Sequence, residues 1–206
     1  MERLVCGVGI NDADYVVVVN EECAPVNGKR KQRRIWFCPF YRTWTDMLNR
    51  AYSAKEKTRH PTYKDVTVCK EWHTFSVFKT WMESQNFVLG QLDKDLLIAG
   101  NKVYSPETCV FVSKQVNMFL VDSGATRGIY LIGASWCKRS GKFKAQCRNP
   151  VTKVQETLGY FATEQEAHKA WLAKKLEHSH ALASLQTDIR VAEALIRRYE
   201  NYNGGE

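Results

Sequence analysis

An acidic cluster with a lysine at its centre is the part of the sequence best suited to metal chemistry. Asp93, Lys94 and Asp95 are consecutive, and leucines flank them on both sides. Carboxylates are preferred ligands of Mg²⁺, which commonly takes one or two from a protein and fills its remaining positions with water and phosphate. A neighbouring lysine can neutralise a phosphate or, when its pKa is lowered, move a proton. A solvated pair of surface charges is the alternative interpretation.

A second set of candidate residues alternates along one segment of the chain. The polar positions are two residues apart, with Phe143, Ala145 and Cys147 between them: Lys142, Lys144, Gln146 and Arg148. Because the side chains of a strand point alternately to its two faces, these four would share one face. Lysine suits phosphates and arginine suits the edge of guanine, so the pattern predicts a DNA-binding face. A solvated sheet face is the alternative.

The charge distribution indicates the same segment. The 206 residues carry a net charge of +8, from 30 Lys and Arg against 22 Asp and Glu. Residues 127–175 hold ten Lys and Arg against three Asp and Glu, so nearly all of the excess lies there. A second basic cluster follows Asn27-Gly28: Lys29, Arg30, Lys31, Arg33 and Arg34. Such clusters are typical of phosphate contacts, although a solvated loop produces the same pattern.

Strands and helices must position both sets of residues. Around the acidic cluster the pattern predicts a strand that ends near Asp93, a loop, a strand at 110–112 and a helix. Ser113 is the expected N-cap of that helix, which carries Asn117. Further strands are predicted at 15–19, 34–38, 135–137, 143–148 and 158–161. Aromatic residues at helical spacing between 72 and 82 predict a buried helix face.

The C-terminal part of the sequence predicts two helices. Thr163 and Glu166 have the form of a capping box, in which each side chain accepts the backbone amide of the other residue. The helix that they open would pack Ala167 and Trp171 against the sheet. A last amphipathic helix is predicted to begin near Thr187 or Asp188.

Composition and short motifs exclude several other classes of protein. The chain is 44% hydrophobic and 25% charged, which is typical of globular proteins rather than disordered ones. No run of about 18 apolar residues is present, and the N-terminal segment lacks a signal-like pattern, so we expect neither a membrane span nor secretion. The sequence holds no GxxxxGK[ST], GxGxxG or GxSxG motif. It therefore gives no support to a P-loop NTPase, a dinucleotide-binding enzyme or a hydrolase with a nucleophile elbow.

The cysteines are candidate ligands of a structural metal. The chain has seven, widely scattered and without a CxxC pair, which indicates reduced thiols rather than a disulfide framework. Cys69 and His73 are four residues apart on a predicted helix, where they could bind zinc with Cys38 and Cys109. Structural zinc sites usually show paired short spacings, which are absent here, so buried thiols are the favoured interpretation.

The order of elements around the acidic cluster resembles the ββα-metal element of HNH endonucleases, and most of all the homing endonucleases of tailed phages. In that family an Asp on the first strand and an Asn on the helix hold the metal. Asp93 falls on the first position and Asn117 on the second. The resemblance covers roughly residues 1–120 and implies Mg²⁺ or Mn²⁺ as cofactor, with Lys94 and Asp95 as further catalytic residues.

Lys94 stands where the HNH family has its general-base histidine. The neighbouring carboxylates would raise the pKa of a lysine, which makes it a poor base. Three explanations are open: burial and the metal tune Lys94, a distant histidine such as His60 or His73 supplies the base, or the scaffold only binds. The sequence resembles a phage HNH-like subfamily that carries the same lysine. Asn101 and Tyr104 are both candidates for the position of the motif's middle asparagine.

The basic segment resembles an AP2-type DNA-binding domain over about residues 127–175. The matching pieces lie at 127–130, 135–136, 141–146, 158–161 and 163–167. In AP2 domains a three-stranded antiparallel sheet lies in the major groove of DNA, and one helix packs behind it. The resemblance implies that the alternating polar residues contact DNA and that Arg127, Trp136 and Arg139 join them.

These observations together predict an α+β protein with three parts. We expect an HNH-like ββα-metal nuclease domain at 1–122, an AP2-type module of three strands and a helix at 123–183, and a C-terminal helix and tail at 184–206. The predicted function is a site-preferring, homing-type endonuclease. The alternative is a non-catalytic DNA-binding regulator on a degenerate HNH scaffold. We expect a monomer that acts on double-stranded DNA, away from membranes, in the cytoplasm of a bacterial host whose phage encodes it.

Overall fold

The structure is a computed structural model that describes residues 4–27, 29–87, 90–121 and 129–202. The chain divides into two compact units, one of Met1–Val88 with Gly100–Phe111 and the other of Leu89–Ala99 with Val112–Glu206. Both contain small sheets and helices, so the predicted α+β class is confirmed. The acidic cluster belongs to the same unit as the basic segment. The predicted functional boundaries at 122/123 and 183/184 stay a prediction.

The first unit combines an antiparallel ribbon with short helices. Its elements are β1 (Val18–Val26), β2 (Lys29–Phe37), α1 (Pro39–Tyr52), α2 (Ala54–Arg59), β3 (Thr67–Val68), α3 (Phe75–Glu83) and β5 (Val103–Tyr104), with 3₁₀ turns at Pro61–Tyr63 and Lys70–His73. β3 and β5 pair in parallel. Trp44, Trp72 and Phe78 are fully or almost fully buried, so the predicted aromatic helix face is core. This core holds α1 against α3.

The ribbon is longer than the strands predicted at 15–19 and 34–38. β2 includes the basic cluster, which is therefore part of a strand rather than a solvated loop. Opposite charges across the ribbon favour this pairing, since Glu21 lies opposite Arg33 and their side chains are 2.7 Å apart. Asn27 turns the chain between the strands at a positive φ of 51°.

The second unit begins with the acidic segment. β4 (Gly90–Asp93) pairs with β6 (Val110–Ser113), whose last two residues belong to this unit, and α4 (Lys114–Leu120) follows β6 directly. The Ser113 hydroxyl accepts the amide of Val116 at 3.2 Å, so the predicted N-cap is confirmed. The predicted order of strand, loop, strand and helix is therefore present, with the short β5 strand inside the loop.

A three-stranded sheet and two helices complete the second unit. β7 (Ala134–Cys137), β8 (Lys142–Arg148) and β9 (Gln155–Phe161) form an antiparallel sheet in that order, followed by α5 (Glu164–Ala183) and α6 (Ile189–Glu200). The predicted capping box opens α5, because Thr163 and Glu166 each accept the other's amide at 3.2 Å. Ala134, Ala145 and Ala167 form the buried contact between sheet and helix.

α6 packs through the apolar face that its pattern predicts. Val191, Leu195 and Tyr199 are buried, and the Asp188 side chain caps the first turn by accepting the amide of Arg190 at 2.9 Å. No helix within the described parts of the chain has the length and apolar character that a membrane crossing requires.

Trp171 packs so closely against Gly133 that one added methyl group at this position should lower the free energy of unfolding markedly. Gly133 has a φ of +83°, and a Cβ there would overlap the Trp171 ring, whereas a Cβ at Gly141 (φ +61°) would meet open space. Both Gly→Ala changes incur the left-handed backbone penalty of about 1 kcal/mol. We expect Gly133→Ala to lower the free energy of unfolding by roughly 2 kcal/mol more than Gly141→Ala, in urea titrations. Equal losses of unfolding free energy in the two variants would show that the Trp171 ring does not exclude a Cβ at position 133.

Candidate nucleic-acid interface and metal site

The alternating residues of β8 occupy one face of the sheet. Ala145 and Cys147 are buried toward α5, while Lys142 and Arg148 are exposed on the other side and Lys144 and Gln146 are half-buried. The alternation therefore separates the two faces as the spacing predicts. Contact of the polar face with DNA stays a prediction.

The neighbouring strands add polar residues to this face. Lys144 pairs with Ser135 on one side and with Tyr160 on the other, and Gln146 pairs with Thr157. Residues directly opposite in a sheet point to the same side, so Tyr160, which is 49% exposed, belongs to the polar face. Sequence reasoning missed Tyr160, although the alternation along β9 carried the signal.

Trp136 lies on the other face of the sheet, which corrects the expectation that it shares the face of Lys142. The register pairs Trp136 with Phe143, and their ring centroids are 4.9 Å apart. Its face depends on how β7 pairs with β8, which no local pattern specifies. Arg139 is exposed in the turn between these strands. Arg127 lies outside the described residues.

The ribbon presents a second basic surface on the first unit. Lys31, Arg33 and Arg34 are exposed on β2, and the Arg34 guanidinium lies 4.1 Å from the centre of the Phe37 ring. Arg33 is partly neutralised by its ion pair with Glu21. Lys29 and Arg30 belong to the same strand, but their side chains lie outside the described parts of the structure.

The acidic cluster forms a tight turn at the end of β4. The Asp93 Oδ1 atom accepts the amides of Asp95 at 3.0 Å and Leu96 at 2.8 Å, which fixes the direction of this carboxylate. Burial raises the pKa of Asp93, and the charge of Asp95 raises it further, while the two amide donors oppose both effects. Lys94 is only 7% exposed, and its Nζ atom lies 3.1 Å from Asp95 Oδ2.

A cavity of about 180 Å³ lies beside this turn. The residues that line it come from β4, α4, α6 and the segments that follow β4 and α4: Asp93, Asp95, Leu96, Asn117, Leu120, Val121 and Arg198. The Asn117 amide donates to Gln91 Oε1 at 2.6 Å, which orients its side chain. The structure thus brings three of the four predicted catalytic residues to one cavity. Lys94 is not among the lining residues.

The donor atoms at this cavity suit a hard divalent cation. Asp93 and Asp95 offer carboxylate oxygens, and Asn117 offers an amide oxygen, which are the ligand types that Mg²⁺ prefers. The described residues contain no group of three or more His, Cys, Asp or Glu side chains arranged to hold a metal. A cation here would therefore take most of its ligands from water and phosphate, as Mg²⁺ commonly does.

Four further residues that the HNH resemblance suggested belong to the first unit: His60, His73, Asn101 and Tyr104. His73 Nε2 lies 3.0 Å from the Tyr52 hydroxyl, and His60 Nε2 lies 4.0 Å from a Glu56 carboxylate oxygen. The Asn101 side chain bonds both backbone groups of Val103. Burial raises the pKa of Tyr104 to about 12.

Comparison with known proteins supports one part of the sequence-based interpretation. The ethylene-responsive transcription factor ERF116 of Arabidopsis thaliana is 51% identical to the chain over 45 residues, which is 22% of this chain. The matched stretch makes up only 15% of that protein. No protein-family model matches the chain, and no solved structure matches it. The partial match supports an AP2-type module and gives no support to the nuclease resemblance.

A buried cluster lies beneath the polar face of the sheet. Cys147 Sγ is 3.5 Å from His178 Nδ1, and His178 Nε2 is 3.4 Å from Glu156 Oε2 without hydrogen-bond geometry. Burial lowers the pKa of His178, and the charge of Glu156 only partly opposes that effect. The histidine is therefore neutral in the folded protein near pH 7. Sequence reasoning missed this cluster, because its members come from β8, β9 and α5.

This cluster predicts a pH-dependent loss of stability. The unfolded chain takes up a proton at His178 below about pH 6.5, whereas the folded protein resists it, so the free energy of unfolding should fall as pH decreases below 6.5. We expect His178→Gln to flatten this decrease in urea titrations at several pH values. His180→Gln, an exposed change on the same helix, is the control. An unchanged pH profile in His178→Gln would contradict the assignment.

Proposed function

We propose that the protein binds double-stranded DNA through the polar face of the β7–β8–β9 sheet. The observation that carries this proposal is the set of alternating basic side chains on β8, opposite a face that α5 covers. A strand ribbon or sheet fits the major groove, where lysines hold phosphates and arginine reads base edges. The partial match to a transcription factor supports the same partner.

We further propose that the second unit cuts the DNA that it binds. In support, the Asp93, Asp95 and Asn117 side chains line one cavity, and the unit that contains them also contains the DNA-binding sheet. Asp93 and Asn117 would hold the cation, and Asp95 would keep Lys94 in place as a nearby positive charge. A divalent cation at such a site stabilises the leaving oxygen in phosphodiester hydrolysis. The reaction class is metal-dependent endonuclease cleavage.

A non-catalytic DNA-binding protein is the second candidate function. One observation favours it: Lys94 is buried and pairs with Asp95 rather than lining the cavity. In this position the lysine is the counter-ion of Asp95. The two candidate functions share the DNA-binding face and differ only in what occurs at the cavity.

Removal of one lysine from the polar face tests the binding proposal. We expect Lys144→Ala to weaken binding of a labelled duplex and to reduce the slope of log affinity against log salt by about 0.9, because one phosphate contact is lost. Fluorescence anisotropy at several salt concentrations measures both quantities. Lys169→Ala is the matched control, since Lys169 is exposed on α5, which packs on the opposite face of the sheet. An equal effect from the control would contradict binding through the β8 face.

Plasmid cleavage tests the catalytic proposal. We expect the wild-type protein to nick or linearise plasmid with Mg²⁺ or Mn²⁺ and to lose this activity with EDTA. Asp93→Ala should abolish cleavage and keep duplex binding, because it removes a metal ligand and leaves the sheet intact. Glu193→Ala, which removes an exposed carboxylate on α6, should cut normally. If the wild-type protein cuts with neither metal at protein excess, the non-catalytic function is the correct one.

A further inference from the structure

The cavity beside Asp93 is lined by a positively charged side chain, that of Arg198, which the sequence did not indicate as a site residue. Arg198 lines it together with two carboxylates and the Asn117 amide. Arg198 lies on α6, in the segment that the sequence predicts only as an amphipathic helix and tail. Among the described residues, no carboxylate lies within 4.0 Å of its guanidinium, so Arg198 forms no ion pair there.

Two neighbouring residues fix the direction of Arg198. Arg197 donates to the carbonyl of Leu97 at 2.9 Å, in the segment after β4, and the Tyr199 hydroxyl donates to the carbonyl of Phe119 at 3.2 Å, on α4. Successive residues of a helix are about 100° apart, so the middle one of three points between the other two. The residue between these two anchors is Arg198, and the cavity lies between β4 and α4.

The charges around the cavity suit a phosphate and a divalent cation together. Asp93 and Asp95 contribute two negative charges, and Lys94 and Arg198 contribute two positive ones, so a bound divalent cation would leave the site positive. A phosphodiester carries one negative charge and adds a second in the transition state of its hydrolysis. Arginine binds phosphate through two parallel N–H donors, which fixes the orientation of the phosphate as well as attracting it.

We propose that Arg198 binds the scissile phosphate at this cavity, so that the C-terminal helix supplies part of the reaction site. This inference rests on the proposed endonuclease function. The guanidinium orients the phosphate against Asp93 and Asn117 and neutralises the charge that develops on its oxygens. The helix α6 is then a functional element of the site as well as a packing element of the unit.

Variants of Arg198 test this role by cleavage. We expect Arg198→Ala to lower kcat/KM for plasmid cleavage about a hundredfold. Removal of one hydrogen-bond donor to an oxygen that gains negative charge in the transition state typically has an effect of this size. Arg198→Lys should recover part of the rate, because lysine keeps the charge and loses the paired donors. Arg190→Ala is the control, since Arg190 lies on the same helix and pairs with Asp188. Circular dichroism of each variant checks that α6 remains folded.

A second measurement does not depend on cleavage. Mn²⁺ binding is followed by electron paramagnetic resonance with and without dimethyl phosphate, a phosphodiester too simple to engage the sheet. In the wild-type protein the phosphodiester should tighten Mn²⁺ binding, and Arg198→Ala should remove this effect while keeping affinity for Mn²⁺ alone. Asp93→Ala should weaken the binding of Mn²⁺ itself.

The outcomes separate the two proposals. If Asp93→Ala loses cleavage and Arg198→Ala cuts like the wild-type protein, Arg198 has no such role and the endonuclease function stands. If the wild-type protein cuts no DNA, the endonuclease function fails. The role of Arg198 at a scissile phosphate then fails as well, and the Mn²⁺ measurement tests only whether Arg198 binds a phosphodiester beside the cation: coupling that persists in Arg198→Ala overturns that binding, and coupling that disappears supports it.

Discussion

The carbonyl oxygen of Phe119 is the point on which the second unit depends. It lies at the end of α4, where a helix leaves its last carbonyls without partners of its own. Lys175 of α5 donates to it at 2.7 Å, and Tyr199 of α6 donates to it at 3.2 Å. Phe119 is buried, and a buried carbonyl without a partner costs about 1–3 kcal/mol. One acceptor thus joins α4, α5 and α6, and these helices carry the acidic cavity and pack on the β7–β8–β9 sheet.

The same junction explains why aromatic residues gather there. The Lys175 ammonium lies 3.7 Å from the centre of the Phe119 ring, and the Phe119 and Tyr199 rings are 5.2 Å apart. A lysine placed in this way contacts a carbonyl and an aromatic face at once, which offsets the cost of partial desolvation. Asn117 lies two residues before Phe119, so its position relative to α5 and α6 follows from these contacts.

The sequence predicted features that depend on local spacing. The alternation of β8, the capping box at Thr163 and the cap at Ser113 all hold in the structure, because each is set by residues within a few positions of one another. The face of Trp136 could not be predicted, since it depends on which residue of β8 lies opposite. Arg198 lies about 80 residues after Asn117, and no periodic pattern reports a contact over that distance.

The same limit applies to Lys94. Its type and neighbours suggested a solvent-facing or catalytic cation, whereas the fold buries it beside Asp95. Burial of a charged residue is a property of the packed unit, which contains segments from two separate parts of the chain. The sequence therefore indicated the carboxylates and the amide of the candidate site, but not which cation lines the cavity.

The position of α6 also sets the order in which the cavity is completed during synthesis. Asp93 and Asn117 leave the ribosome well before Arg198, by several seconds at the usual rate of about 5–20 residues per second. The contact between Arg197 and Leu97 joins residues that are 100 positions apart, so it forms only when almost the whole described chain has been made. A nascent or truncated chain that lacks α6 therefore has an unfinished cavity. The cavity is in this way completed only after the β7–β8–β9 sheet has been synthesised.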